Sequence, residues 1–120
     1  MSAKHSNAAE ILEVAHLSVR SGQEVAFECT FSVAQAIIGA SPGYRGHQLQ
    51  RCIEKPGRYI LLVQWATLED HTAGFRQSAA YSEWQRLLHH FYDPFPTAEH
   101  YVEVSPQLPN CSLGRQAGCR

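Results

Sequence analysis

Residues 58–66 constrain the fold of this 120-residue chain more than any other segment. Their sequence, RYILLVQWA, is the most apolar in the chain, and a run of aliphatic, aromatic and β-branched residues favours a β-strand. Side chains alternate between the faces of a strand, so Val63 and Trp65 point one way and Ile60 and Leu62 the other. A strand that is apolar on both faces has to be covered on both. We therefore expect helices against one face and a second apolar surface, most simply another copy of the chain, against the other.

Composition and turn signals predict three more strands. Residues 10–20 are rich in Ile, Leu and Val, and residues 98–104 alternate between polar and apolar side chains. Residues 44–54 are extended and end at a Lys-Pro-Gly turn at residues 55–57. Because that turn is short, the stretch is predicted to form an antiparallel hairpin with residues 58–66.

The remaining segments have helical periodicity. Four apolar residues recur at spacings of four, three and four positions and define one buried helix face: Phe27, Phe31, Ala34 and Ile38. The second helical segment, residues 69–91, changes its apolar face near residues 78–80, which predicts a break there. Thr67 and Asp70 are spaced to cap the start of that segment.

The order of these elements is β-α-β-β-α-β, which indicates an α+β protein with a ferredoxin-like βαββαβ sandwich. The predicted domain covers residues 10–105. Residues 1–9 are small and polar and are expected to form a disordered N-terminus. Residues 106–120 are rich in glycine, proline and small polar residues and are expected to form a flexible C-terminal tail.

Charge and composition exclude several classes of protein. Ten Lys and Arg residues balance eleven Asp and Glu residues, for a formal net charge of -1, whereas nucleic-acid-binding proteins carry a basic excess. No apolar run approaches the ~20 residues that span a membrane, and the first residues lack the apolar core of a signal peptide, so we expect a cytoplasmic protein without membrane contacts. The four cysteines form no CxxC pair, which argues against a zinc cage or a disulfide scaffold. Cys29 and Cys52 are expected to be small buried residues.

Motifs spread along the chain form a recognisable pattern. It comprises PGY at residues 42–44, RYILLVQW at 58–65 and LEDH at 68–71, then Phe75, Ser78, Trp84, Phe91, Pro96 and the EHY strand start at 99–101. Over residues 10–104 the pattern resembles the antibiotic biosynthesis monooxygenase family, small proteins of the dimeric α+β barrel class. The resemblance implies a homodimer that oxidises a small apolar aromatic or quinol-like ligand with O2 and needs no cofactor, neither flavin nor metal. The family also contains haem-degrading enzymes and proteins without an assigned activity.

The resemblance and the periodicity together single out candidate site residues. Trp65 ends its strand, where active members of the family have a tryptophan beside the pocket, and its indole N–H is expected to orient a substrate oxygen unless the ring only packs in the core. His71 shares a helix face with Phe75 and is the candidate general base, with a hydrogen bond to His100 as the structural alternative. The predicted substrate-binding residues are Phe31, Phe75, Trp84, His100 and, as a weaker candidate, His16.

No metal site is expected in the second helical segment. Its adjacent histidines, His89 and His90, diverge by ~100° around a helix, so they do not converge on one ion. Helical ligand pairs are spaced three or four positions apart instead.

Two departures from the family's active branches keep an alternative open. The haem-degrading branch has an asparagine in the first strand, where this chain offers Ala15 and His16. The quinol-oxidising branch has an asparagine four residues before the tryptophan, where this chain has Leu61. The alternative is a non-catalytic homodimer that binds a small ligand or serves as an accessory protein. An isomerase or decarboxylase on this fold would use the same base.

Overall fold

The computed structural model describes residues 10–104, so the predicted disordered N-terminus and flexible C-terminal tail lie outside the described residues. The elements are strand β1 (Ile11–Ser18), helix α1 (Glu24–Gly39), strands β2 (Tyr44–Arg51) and β3 (Arg58–Trp65), a π-helical turn (Asp70–Phe75), helix α2 (Ala79–Leu88), a 3-10 turn (His89–Phe91) and strand β4 (Thr97–Tyr101). The predicted ferredoxin-like order of elements is confirmed.

The four strands form one antiparallel sheet in the order β2-β3-β1-β4. The apolar strand β3 is therefore central, together with β1, and the hairpin that it forms with β2 is the one predicted. In this register Glu13 of β1 lies opposite both Val63 of β3 and His100 of β4. Paired residues point to the same side of a sheet, so these three side chains share the face that the helices cover.

The core lies between that face and the two helices. The buried residues of α1 are the four predicted from its periodicity: Phe27, Phe31, Ala34 and Ile38. Phe27 is central, with its ring centroid 4.9 Å from that of Tyr59 and 5.6 Å from that of Phe91. Full burial of such a side chain is worth ~1.5–3 kcal/mol against exposure to water, so this contact layer is a large favourable contribution to folding. Within residues 10–104, no helix is both long and apolar enough to cross a membrane.

The second helical segment is broken, as its periodicity predicts. Thr67 and Asp70 cap its start reciprocally: the carboxylate accepts from the Thr67 N–H and hydroxyl, and the Asp70 N–H donates to that hydroxyl. The turn that follows is π-helical, because the Arg76 N–H donates to the carbonyl of His71, five positions back. Ser78 is extended and caps α2 with its side chain, so the segment restarts in a new direction there.

The opposite face of the sheet, which we call the outer face, carries an apolar stripe across its two central strands. The stripe consists of Leu12, Val14, Ile60 and Leu62, of which Val14 is buried and the others are half-buried. Its neighbours on the same face include the exposed Gln48 and Gln64. This is the second apolar face predicted from the sequence of β3.

The two cysteines expected in the core are not buried there. Cys29 lies on the exposed side of α1, and Cys52 is half-buried just after β2. The prediction for both was wrong. The α1 periodicity, which buries Phe27 and Phe31, turns Cys29 away from the sheet, and Cys52 follows the last residue of β2 instead of lying within the strand.

Candidate functional site

A small cavity lies between the helices and the sheet, on the side of β1. Its volume is about 90 Å³. Glu13 and Ala15 of β1, His71 and Phe75 of the π-helical turn and Trp84 of α2 are among its lining residues. Three of the predicted site residues, His71, Phe75 and Trp84, are thus brought together in one lining.

Three more predicted site residues lie behind that lining and support it. Phe31 of α1 packs edge-on against Trp84, with 5.9 Å between the ring centroids. Trp65 is fully buried and stacks on His71, with ring centroids 5.3 Å apart and an interplanar angle of 21°. His100 of β4 reaches His71 through a hydrogen bond. These residues fix the orientation of the side chains that reach the cavity.

His16 lies outside this site. It is exposed on the outer face, because strand alternation places it opposite to its neighbours Ala15 and Leu17, which line the cavity. The prediction that His16 belongs to the pocket was wrong. Strand β1 is apolar at both parities, so its own sequence does not reveal which side faces the helices.

Glu13 is the site residue that sequence reasoning missed. It is only 7% exposed although it carries a carboxylate. Its Oε1 accepts a hydrogen bond of 3.0 Å from the indole Nε1 of Trp65. Burying a carboxylate is costly unless partners compensate, so a buried one that lines a cavity marks a candidate functional group. The signal in the sequence was a single carboxylate in a strand that is mostly apolar.

His71 links Glu13 to His100. Its ring is 3% exposed, its Nδ1 lies 2.8 Å from His100 Nε2, and its Nε2 lies 3.5 Å from Glu13 Oε1. The hydrogen bond to His100 is the one weighed above as the structural alternative to catalysis. The side chains of Trp65, Glu13, His71 and His100 form a continuous row, of which the first three are buried and His100 is half-buried. We call this row the Glu13–His71 relay after its two central members.

Burial dominates the ionisation of this relay. It lowers the pKa of His71 to about 4, and the charges of His100 and Arg76 act in the same direction, so the imidazole is neutral at pH 7. Burial raises the pKa of the Glu13 carboxyl, against the opposing effects of the Trp65 hydrogen bond and the Arg76 charge. Burial, with Arg76, also lowers the pKa of His100. A buried acid and a buried base with perturbed pKa values are a typical feature of a catalytic site.

The relay is arranged as a row and not as a cage. The two nitrogens of His71 face different partners, so the carboxylate and the two imidazoles do not converge on one point. Across residues 10–104, no three His, Cys, Asp or Glu side chains are grouped so that they could hold a metal ion. The arrangement is suited to moving or holding a proton.

Comparison with known proteins places the chain among relatives of the same fold. The sequence profile of the antibiotic biosynthesis monooxygenase family matches residues 11–87. The uncharacterized protein YczJ of Bacillus subtilis is 50% identical over 94 residues, which cover 78% of this chain and 99% of YczJ. A candidate antibiotic biosynthesis monooxygenase from Bordetella bronchiseptica is 35% identical, with a TM-score of 0.77 over 81% of this chain and 99% of its own.

A third similarity concerns the fold alone. The crystal structure of SnoaB, a cofactor-independent oxygenase from Streptomyces nogalater, superposes with a TM-score of 0.64 at 22% identity, over 84% of this chain and 97% of SnoaB. Together with the profile match, which spans more than half of the sequence, the relatives above show the family. The chain belongs to the antibiotic biosynthesis monooxygenase family.

Proposed function

We propose that the protein is a cofactor-independent monooxygenase that oxidises a small aromatic or quinol-like substrate with O2. The observation that carries this proposal is the Glu13–His71 relay, a buried acid–base pair that faces a cavity lined with aromatic rings. Cofactor-independent oxidation begins with the removal of a substrate proton, and the pair can take one. His89 of the 3-10 turn is a further imidazole in the lining.

The size of the cavity favours a substrate with one ring. A volume of about 90 Å³ is smaller than the ~150 Å³ apolar cavity that accommodates benzene. A bound ring therefore requires a modest displacement of lining side chains, whereas a polycyclic substrate requires much more. Phe95, which is 63% exposed, and Arg76, which is exposed, are the lining residues that can move into solvent most readily.

The chemistry follows from the electron-rich anion that proton removal creates. The substrate anion transfers one electron to O2, and the two radicals combine at a ring carbon to form a peroxide. Return of the proton from the pair gives the hydroperoxide, and loss of water leaves a quinone. The aromatic lining, including Phe75 and Trp84, excludes bulk water from these steps.

Trp65 has a supporting role in this proposal. Its indole N–H is already donated to Glu13, and its ring is fully buried behind His71. A hydrogen bond to a substrate oxygen would require breaking that contact. We therefore assign Trp65 to holding Glu13 in place, not to orienting a substrate carbonyl.

The proposal includes a homodimer. The apolar stripe on the outer face, with Leu12, Ile60 and Leu62 only half-buried, needs a cover, and a second copy of the same sheet supplies a self-complementary one. The homodimer is also the state that membership of the dimeric α+β barrel class implies.

The alternative is a non-catalytic homodimer that binds a small ligand or serves as an accessory protein. One observation favours it: an apolar residue, Leu61, lies in the cavity lining four positions before Trp65, where the quinol-oxidising branch has an asparagine. The two functions differ in whether a bound quinol is consumed.

Oxygen uptake tests the proposal. With 1,4-hydroquinone the protein should consume O2 and release 2-hydroxy-1,4-benzoquinone and water, whereas 1,4-dimethoxybenzene, which has no acidic proton, should bind without O2 uptake. Ala15→Leu, which fills the cavity, should abolish both binding and uptake, and Ala36→Leu on the exposed side of α1 is its matched control. Tight hydroquinone binding without O2 uptake would instead support the binding protein.

A further inference from the structure

We propose that Glu13 is the direct acceptor of the substrate's hydroxyl proton and that His71 is the positioning residue that orients Glu13 and connects it to His100. The inference rests on the function proposed above and assigns its first step to one atom. It also sets the substrate class: a single-ring phenol or quinol whose hydroxyl reaches the Glu13 carboxylate.

The surroundings of Glu13 leave one of its oxygens available. The side chain lines the cavity and is more than nine-tenths buried. Oε1 receives the Trp65 hydrogen bond and faces His71, whereas in residues 10–104 no donor is hydrogen-bonded to Oε2. A buried carboxylate oxygen without a donor is an incomplete site, because burying it costs free energy that a ligand hydroxyl would recover.

Both nitrogens of His71 face a partner, because Nδ1 is hydrogen-bonded to His100 and Nε2 lies 3.5 Å from Glu13 Oε1. A neutral imidazole has one donor and one acceptor nitrogen. A proton on Nε2 faces the carboxylate favourably, and Nδ1 then accepts the proton that His100 Nε2 presents at 2.8 Å. The opposite tautomer would set the Nε2 lone pair against the carboxylate. In the favourable arrangement the basic lone pairs of the relay that face the cavity belong to Glu13. His89, the other imidazole in the lining, packs against Tyr81, Tyr92 and Phe95.

The polar groups around Glu13 come from several elements that pack against it. Strand β3 contributes the uncharged Trp65 N–H, the π-helical turn contributes His71, and β4 contributes His100 at the paired position. Arg76, just after the turn, is the cation that acts on the carboxyl. Burial outweighs these effects and raises the pKa of Glu13, which makes its carboxylate a stronger base than one in water.

The proposed step is a proton transfer without any other reactant. The substrate O–H bond breaks, a new O–H bond forms at Glu13 Oε2, and the electron pair stays on the substrate oxygen. The product is a bound phenolate beside a neutral carboxylic acid. His71 keeps its hydrogen bond to His100 and its contact with Glu13 during this step.

The test uses 4-nitrophenol, whose phenolate absorbs visible light, as a probe that needs no O2. Bound to the wild-type protein, the probe should ionise at a pH at least one unit below that at which it ionises in buffer. Glu13→Gln, which keeps an acceptor for Trp65, should still bind the probe. In this variant the pH at which the bound probe ionises should be at least one unit higher than in the wild-type protein. His71→Gln should move the pH at which the bound probe ionises by less and should not abolish the ionisation.

A control variant and an NMR measurement test the role of Glu13 independently. Glu69→Gln, at an exposed carboxylate before the π-helical turn, should behave as wild type. Carbon-13 NMR of wild-type protein labelled at glutamate carboxyls should show one buried resonance becoming protonated when the probe binds, which decides the matter if Glu13→Gln does not fold. An ionised probe in Glu13→Gln, or no glutamate protonation in wild type, overturns the inference.

The outcomes also separate this inference from the proposed function. If probe ionisation depends on Glu13, the inference is sustained. If the same protein consumes no O2 with hydroquinone, the monooxygenase is overturned. Oxygen uptake that persists in Glu13→Gln would do the reverse. A wild-type protein that does not bind the phenol at all would overturn both.

Discussion

The indole Nε1 of Trp65 donates a 3.0 Å hydrogen bond to Oε1 of Glu13, across the two central strands of the sheet. This bond joins Trp65, which was predicted as a site residue from the sequence, to Glu13, which was not. It also explains why a carboxylate can be buried in an apolar layer, because a charge-assisted hydrogen bond compensates part of the cost of its desolvation.

Trp65→Phe is predicted to change the pH dependence of the reaction. Phenylalanine keeps much of the stacking on His71 but removes the N–H, and the Trp65 hydrogen bond is a factor that lowers the pKa of Glu13. The pKa of Glu13 therefore rises further, and the acid limb of the kcat/KM profile should move to higher pH. Stability should fall by about 1–3 kcal/mol, since a buried acceptor loses its donor.

A matched control isolates the site in that experiment. Tyr59→Phe likewise removes a donor to a carboxylate, the 2.6 Å bond from the Tyr59 hydroxyl to Glu28, but away from the cavity. It should lower stability and leave the pH profile in place. A Trp65→Phe profile that overlays the wild-type profile would argue against a catalytic Glu13.

Stability should fall in acid because of His71. The folded state holds its pKa at about 4, below the ordinary 6.5, so protons bind the unfolded chain more readily. The stabilising contribution of the neutral imidazole is complete above pH 6.5 and is lost as the pH falls from 6.5 to about 4, an effect on the order of 3 kcal/mol. Melting temperatures between pH 7.5 and 4 should show a drop that His71→Gln reduces. His90→Gln, at an exposed ring, should retain it.

Glu13→Gln should cost activity without costing stability at neutral pH. The folded-state pKa of Glu13 is raised, so its contribution to stability is present below the ordinary pKa of 4.5 and is lost as the pH rises through the folded value. A permanently neutral glutamine avoids that loss and still accepts from Trp65. We expect a melting temperature at pH 7 equal to or above that of wild type, with turnover reduced ~100-fold or more. A marked drop in melting temperature would indicate a Glu13–His71 ion pair with a structural role.

Gly43→Ala should be more destabilising than Gly22→Ala. Both glycines have a positive φ, 85° and 84°, so alanine is strained at each by about 1 kcal/mol. A Cβ at Gly43 would also meet the carboxylate of Asp70, whereas a Cβ at Gly22 has nothing within 4 Å. Urea unfolding should therefore show a lower free energy of unfolding for Gly43→Ala than for Gly22→Ala. The difference, about 1 kcal/mol or more, measures the disruption of the Thr67–Asp70 cap. Equal losses at the two positions would mean that Asp70 moves aside freely.

Leu62→Lys should dissociate the proposed homodimer. Leu62 lies in the middle of the apolar stripe, and a lysine there would place a charge between the two sheets. Sedimentation should show a dimer for wild type and a monomer for the variant at micromolar concentration. Val33→Lys, at a side chain of α1 that is 66% exposed, is the control and should remain a dimer. A monomeric wild-type protein would contradict the proposal.

Local patterns predicted the order of elements and much of the core because the signals are short-range. The spacing of Phe27 and Phe31 fixes the buried face of α1, and the change of face near Ser78 locates the break before α2. Both features depend on residues that lie within a few helical turns of one another. The periodicity of the backbone decides which of these residues share a face.

The site was harder to predict because its residues meet only through strand pairing. Glu13, His71 and His100 come from three separate elements, and the register of β1 against β4 brings the outer two together. Strand β1 is apolar on both faces. Alternation therefore places Glu13 and His16 on opposite faces of the sheet but does not decide which of the two faces the helices. Trp65 was found from its family position and His71 from the helix face that it shares with Phe75, whereas their mutual stacking follows from the fold.

The π-helical turn has a consequence for comparing this chain with its relatives residue by residue. Trp84 follows His71 by 13 positions, which in one unbroken α-helix would place the two on roughly opposite sides. Both line the cavity only because the wide turn and the restart at Ser78 reset the phase between them. A relative that lacks or gains one residue between these positions would therefore present a different side chain to its cavity. In this segment an alignment gap changes the identity of the site, even where the flanking sequence is the same.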